Sequence, residues 1–494
     1  MTAPTAPPLD RRTYLVAFAV VLGAIMSILD TTVVSVAQNT FIETFHAKSS
    51  TVAWTATGYT LALAAVIPMS AWAANRFGTK RVYMASMLFF VLGSVLCATA
   101  WNIGSLVAFR MVQGFGGGML MPVGMMILTR AAGPQRMGSL MAVLGIPMLL
   151  GPILGPILGG VLIEYLSWHW IFLINVPIAA VALVYAYFML PSDNERTKAP
   201  FDFVGLLLLS PGLAIFLYGV SSSNDKDTFL DAKVLICMIV GALLVVGFIW
   251  RSLSAKTPLL DLRLLRNPKL AWSVVCMSSF MIAFFGAMLL YPQYFIGVRG
   301  ESTVMAGLLV APQGLGALLT MPIAGRMTDK IGPGKFVLTG ILLITAGMST
   351  WTWIGADTSL WFTSCALFVQ GLGMGMTMMP IMSAALATLK PHEVPHGSTL
   401  MNVVQQVSGS IGTAIITVIL TSALISKKAA PVLIAHGDQR HAIPAHMFHD
   451  AAAAFGIAFT VAVVLVAITW IPAWFLPRTK AQAPTDAVEP VLMH

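Results

Sequence analysis

Fourteen apolar stretches, each long enough to cross a bilayer, constrain this 494-residue chain more than any other feature. They cover residues 14–36, 52–73, 82–101, 105–128, 138–163, 171–190, 202–221, 233–252, 271–294, 303–325, 336–354, 361–382, 397–425 and 452–476. A hydrocarbon core about 30 Å thick takes roughly 20 helical residues per crossing. A backbone in lipid must satisfy its own N–H and C=O groups, so each stretch is expected to be a helix. Composition agrees: 57% of residues are hydrophobic and 10% charged, against about 25% charged in soluble proteins. Mean hydropathy is +0.85. The expected fold class is an all-α integral membrane protein, which excludes a cytosolic enzyme, a nucleic-acid-binding module and a disordered chain. The first stretch contains Asp30, is too long and lacks a small-residue cleavage site, so it reads as a span rather than a signal peptide. Cys97, Cys237, Cys276 and Cys365 lie in apolar runs without CxxC spacing and read as buried small hydrophobes.

Lys and Arg divide unevenly between the two sides. With the N-terminus inside, twenty of the 28 fall in cytoplasmic segments, seven on the opposite side, and one, Arg110, inside a helix. Positive loops face the cytoplasm, so both termini are expected there, in a cytoplasmic (inner) membrane. The net charge of +9 then belongs to those loops and not to a nucleic-acid partner.

The chain also repeats itself. Val112-Gln-Gly-Phe-Gly-Gly-Gly-Met119 returns as Val369-Gln-Gly-Leu-Gly-Met-Gly-Met376, and Asn75-Arg76-Phe77-Gly78 returns as Asp329-Lys330-Ile331-Gly332. Offsets of 257 and 254 residues imply a parallel duplication of six helices. The expected organisation is a tail (1–13), a six-helix half (14–190), a linker with two extra helices (191–270), a second half (271–476) and a tail (477–494). Duplicated halves place a cavity between them near the midplane, which is transporter architecture.

Several motifs carry chemistry. Arg110 inside a span costs about 2.5–3.5 kcal/mol on insertion scales and needs a partner or a wet cavity. Asp30 is the one carboxylate deep within a span, and both groups reach a similar depth. A static ion pair and a titratable coupling pair both fit, and the second is the expectation. Gln113 shares a helix face with Arg110 and is expected at a substrate cavity. Asn402, Gln405 or Gln406, Gly409 and Thr413 share one face of the thirteenth stretch, where amides would hydrogen-bond substrate or glue helices together. Gly151, Gly155 and Gly159 form a stripe for close helix contact, with Pro152 and Pro156 inside it to bend the helix. Asn75, Arg76 and Gly78, and again Asp329, Lys330 and Gly332, form short basic loops expected to gate. The 30 Met residues, dense at 119–126 and 374–382, could line an adaptable cavity.

Two patterns point elsewhere. His392-Glu393-Val394-Pro395-His396 matches H-E-x-x-H, and would make the chain an integral-membrane zinc protease. That chemistry needs both His on one helical turn. Pro395 is expected to push Val394 out of the helix, leaving the motif in a loop with no metal. His436, His441, His446 and His449 are irregularly spaced and read as a solvated external loop. No G-x-x-x-x-G-K-[ST] run exists, so transport must draw on an ion gradient and no cofactor is expected.

At these residues the sequence resembles the major facilitator superfamily, and within it the fourteen-helix drug:proton antiporters of the EmrB/QacA group. Leu29-Asp30-Thr31-Thr32-Val33-Val34 is similar to that group's helix-one motif. The Arg76–Arg81 loop is similar to motif A, Arg110-x-x-Gln113-Gly114 to motif B, and Gly145–Gly160 to the antiporter motif C; Trp168–Pro177 also has the family pattern. Asn75 replaces the motif-A aspartate, which Asp329 keeps; Gln405-Gln406 stand where relatives often have Arg. The resemblance implies a proton-coupled multidrug efflux transporter, coupled through Asp30 and Arg110 and exporting amphipathic small molecules by alternating access. The alternative within transport is export of an endogenous lipid, siderophore or metabolite. Expected partners are small-molecule substrates, protons, membrane lipid and a periplasmic adaptor protein, with the chain itself a monomer.

Overall fold

The computed structural model describes residues 11–132, 136–191, 200–226, 229–434 and 443–479. Among them thirteen helices are long and apolar enough to span a membrane. A further 29-residue helix, Met137–Tyr165, occupies the place of the expected fifth span. In chain order the helices are α1 (Arg11–Val36), α2 (Trp54–Phe77), α3 (Thr79–Ala98), α4 (Ile103–Ala132), α5 (Met137–Tyr165), α6 (Trp170–Met189) and α7 (Phe203–Lys226). Then follow α8 (Ala232–Ser254), α9 (Pro268–Gln293), α10 (Thr303–Ile331), α11 (Pro333–Trp353), α12 (Leu360–Leu386), α13 (Val394–Ser426) and α14 (Ala445–Trp474). The tail segments 1–10 and 480–494, together with His436 and His441, lie outside the described residues. Of the cysteines, Cys97 and Cys276 are buried as expected, but Cys237 is half-buried and Cys365 exposed. An apolar run fixes depth in the bilayer but not which side of a helix meets lipid.

Glycine positions show how the repeat packs. A Cβ on Gly114, Gly116 or Gly118 of α4 would meet the backbone of Tyr59 and Leu63 (α2) or Phe90 (α3) at 2.3–2.7 Å. On α12, Gly371, Gly373 and Gly375 meet Gln313, Ile344 and Ala317 in the same way. The pairs Gly114–Tyr59 and Gly371–Gln313 are offset by 257 and 254 residues, so both neighbours of the glycine-rich helix are reproduced along with the motif. Small residues that let backbones approach are the main packing device where lipid supplies no hydrophobic drive between helices.

The halves meet along two seams, α5 against α10 and α12, and α13 against α2 and α4. α7 lies against α2 and α13, along the second seam. α8 pairs with α7 and turns outward, with 17% of its apolar window buried. Arg251 holds this hairpin together by donating Nε and Nη2 to Asp202 Oδ1 at 3.3 and 3.2 Å.

Candidate functional site

The site begins with α1, whose faces meet two environments. Asp30 points into the first half and is 1% exposed. Its Oδ2 accepts from Arg110 Nη1 at 2.5 Å, and its Oδ1 accepts from Gln113 Nε2 at 2.7 Å and Asn175 Nδ2 at 3.1 Å. Arg110, also 1% exposed, donates Nε to the Thr55 carbonyl at 3.1 Å and Nη1 to Gln113 Oε1 at 2.5 Å. Its guanidinium lies 4.1 Å from the Tyr59 ring centroid. Ser94 Oγ accepts from both Gln113 and Asn175, at 2.6 and 3.2 Å. A buried ion pair holds only where further hydrogen bonds satisfy the remaining groups, and here α2, α3, α4 and α6 supply them.

The structure thus brings together Asp30 and Arg110, the pair expected from depth. Gln113 is a correction: it is fully buried inside this cluster and not on the cavity wall. It lies one turn from Arg110, and the turn that carries Arg110 to Asp30 carries Gln113 there too. Asn175, Ser94, Tyr59 and Thr55 are the members that sequence reasoning did not assign. Asn175 had a signal, as an amide in the Trp168–Pro177 motif; Ser94 and Thr55 had none. Among the described residues the second half shows no such buried Asp–Arg pair. Leu367 stands 257 residues after Arg110, and Gln370, the counterpart of Gln113, accepts instead from Tyr291 Oη at 2.8 Å.

On its other face α1 presents Ser27, Ile28, Thr31 and Thr32 to a central cavity of about 330 Å³ between the halves. Asn402, Gln405 and Gln406 of α13 line it, with Gln313 of α10. Met121, Met281, Met288, Met374 and Met378 form much of the apolar wall with Phe284 and Phe285. Other members of the Met-dense runs, such as Met126, Met379 and Met382, are buried packing. Gly409 packs against Phe285, and Thr413 faces a separate small cavity beside α2 and α7. A hydrogen bond of 3.1 Å between Ser27 Oγ and Tyr59 Oη joins the cavity wall to the ring beneath Arg110.

The glycine stripe of α5 sets the distance to α1. A Cβ on Gly151 would lie 2.2 Å from Ile28 Cγ2, and one on Gly155 2.1 Å from Thr32 Oγ1 and 2.4 Å from Thr32 Cβ. Gly159 is looser, at 3.3 Å from the Val33 carbonyl, and Gly160 has nothing within 4 Å. The backbone is helical through Pro152 and Pro156; their side chains lie outside the described residues. Gly155→Ala is therefore expected to cut transport at least tenfold and Gly160→Ala to leave it within twofold, measured as efflux per copy of membrane-inserted protein.

At the end carrying Arg76, Arg130 and Lys330 the halves are drawn together. Asp329 on α10 accepts from the N–H groups of Gly138 and Ser139 at the start of α5, at 2.8 and 2.9 Å, and from Ser139 Oγ at 2.6 Å. A carboxylate there satisfies helix N–H groups that lack intrahelical partners and complements the helix dipole. The α2–α13 seam has a hydroxyl pair instead, Ser70 Oγ and Thr399 Oγ1 at 2.8 Å. Asn75 is half-buried in the last turn of α2, and Arg76 and Lys330 are exposed. Gly78 and Gly332 adopt φ of 92° and 90°, a backbone that L side chains rarely take, so the tight turn is repeated in both halves.

The H-E-x-x-H segment departs from the loop expected of it. α13 starts at Val394, with Pro395 in its first turn. Proline is tolerated there because that N–H has no intrahelical acceptor. His392 and Glu393 stay in the preceding turn, while His396 is helical and accepts from the Asp261 N–H at 3.4 Å. The two His therefore do not share a helical turn. Among the described residues no three His, Cys, Asp or Glu gather as a metal site.

The family model described as Major Facilitator Superfamily matches residues 20–413. The chain belongs to this superfamily. It is a multi-pass membrane transporter and not an enzyme. It is 47% identical to a Mycobacterium tuberculosis protein named Multidrug resistance protein B homolog, over 93% of this chain and 89% of that one. It is 30% identical to Multidrug export protein EmrB of Haemophilus influenzae, over 82% and 79% of the two chains. Against Lincomycin resistance protein LmrB of Bacillus subtilis it is 27% identical, over 94% and 95%. The fold is similar to that of the human organic anion transporter MFSD10, with a TM-score of 0.65 at 14% identity over 95% of this chain and all of that one. The proton:xylose symporter XylE gives 0.60 at 16% identity, over 95% and 97%.

Proposed function

We propose that this transporter is a proton-coupled multidrug exporter of the cytoplasmic membrane, with both termini and the Arg/Lys-rich end in the cytoplasm. The observation that carries this reading is the double role of α1, which holds Asp30 in the buried cluster and lines the cavity with Ser27 and Thr31. Loading a proton on Asp30 turns an acceptor oxygen into a donor facing Arg110, so the pair parts and α1 shifts against α4. That shift moves the cavity wall.

Residues 14–190 and 271–476 rock about the seams as two bodies, with α7 and α8 riding on the α2–α13 side. Closure at the Arg/Lys-rich end corresponds in this orientation to an outward-facing state. One proton supplies about 2.3 kcal/mol per 100 mV and about 1.4 kcal/mol per pH unit. A tenfold substrate gradient costs about 1.4 kcal/mol, so a single proton drives useful export. The names of the 47% and 30% identical relatives support drugs as cargo.

Everted vesicles containing the transporter are expected to accumulate substrate when acidified inside, without ATP, and to lose it when an uncoupler collapses the gradient. Accumulation that requires ATP despite an imposed pH gradient overturns the reading.

A further inference from the structure

Among the described residues lining the central cavity there is no acidic or basic side chain. The carboxylate nearest in sequence, Asp30, is turned into the first half and neutralised by Arg110 at 2.5 Å. The polar part of the wall consists of amides and hydroxyls. Thr31 and Thr32 donate to carbonyls of their own helix, and Asn402 donates to the Ser398 carbonyl at 2.8 Å.

Three amides are left over. Gln313 is 6% exposed, and its side chain has no hydrogen-bond partner among the described residues. Gln406 likewise has none, and Gln405 reaches only the Met277 sulfur at 4.0 Å. Each primary amide offers two donors and one carbonyl acceptor to the cavity, and a bound molecule that displaces water from them loses affinity unless it replaces those hydrogen bonds. What would satisfy them is a carbonyl, hydroxyl or amide of a bound molecule.

We propose that this cavity selects uncharged amphipathic molecules, seating an apolar body among its Met and Phe side chains and a neutral hydrogen-bonding group on Gln313, Gln405 and Gln406. The inference rests on the cavity being the transport site. A cation entering the cavity sheds water and meets no counter-charge. A quaternary ammonium also leaves the three amides unpaired. Beyond the partial charges of amide and hydroxyl oxygens, cation–π attraction is the compensation on offer among the described lining residues. It falls to Phe284 and Phe285, which already pack edge-to-face at 5.3 Å, and among the described lining residues no Trp or Tyr joins them. The Met side chains are flexible and polarisable, so the apolar part of the site tolerates varied shapes. Selection therefore acts on charge and hydrogen bonding more than on outline.

The test uses two dansyl amides that differ only in one arm, 3-hydroxypropyl or 3-(trimethylammonio)propyl, binding to the purified full-length transporter and read by fluorescence anisotropy. The wild type is expected to bind the hydroxyl probe at least tenfold more tightly than the ammonium probe. Gln405→Glu and Gln406→Glu, made separately, are each expected to shift that ratio about tenfold toward the cation. Equal or tighter binding of the ammonium probe by wild type overturns the proposal, as does no binding of the hydroxyl probe. An unchanged ratio in both acidic variants also overturns it. No proton gradient enters this measurement, so a failure of proton coupling leaves the binding order intact and the two readings fail separately.

Discussion

Asp30→Asn is expected to abolish gradient-driven export and to lower the thermal midpoint of the purified protein. Both Asp30 oxygens act as acceptors, one to Arg110 and the other to Gln113 and Asn175. An asparagine must turn its NH₂ toward one of these donors. The size and polarity of the amide therefore do not make the change conservative. Leaving Arg110 as an uncompensated buried charge costs about 3–5 kcal/mol, and a buried donor without an acceptor about 1–3 kcal/mol more.

The double variant Asp30→Asn/Arg110→Gln removes the stranded charge. It is expected to recover most of the lost thermal stability, yet still to show no proton-driven accumulation in vesicles. Recovery of stability together with uphill transport would place the coupling group elsewhere. Failure of the double variant to regain stability would mean that Tyr59 and Thr55, which hold Arg110 through its ring contact and its Nε, need the arginine itself.

Asp329→Ala is expected to reduce efflux more than tenfold, with far less effect from Asn75→Ala, which should stay within twofold. Asp329 makes three charge-assisted bonds across the α5–α10 seam. Hydrogen bonds to charged groups contribute about 1.5–3 kcal/mol. Losing even one such increment shifts the balance between the closed and open states of that end by about tenfold or more, at 1.4 kcal/mol per decade. The direct readout is labelling of a cysteine placed at Thr31, on the cavity wall, by an impermeant thiol reagent. Applied from the Arg/Lys-rich side, the reagent should react faster in Asp329→Ala than in the parent carrying Asp329. Equal labelling in the two backgrounds would remove Asp329 from the gate.

The linear chain by itself determined which segments cross the membrane, because about 20 apolar residues can satisfy their backbone in lipid only as a helix. It also determined the duplication, through offsets of 257 and 254 that recur in the packing of Gly114 on Tyr59 and Gly371 on Gln313. The meeting of Asp30 and Arg110 was legible too, since a charge in lipid needs its opposite at the same depth.

Tertiary structure alone decided which neighbour each helix face meets. Helical spacing put Gln113 beside Arg110, but could not say that this face turns into the first half and not toward the cavity. Nor could it recruit Asn175, Ser94 and Thr55, which come from three other helices, or give Asp329 its partners 190 and 191 residues away. Depth and face are properties of one helix and its solvent. Partnership depends on how fourteen helices pack against one another, and few local residues report on that.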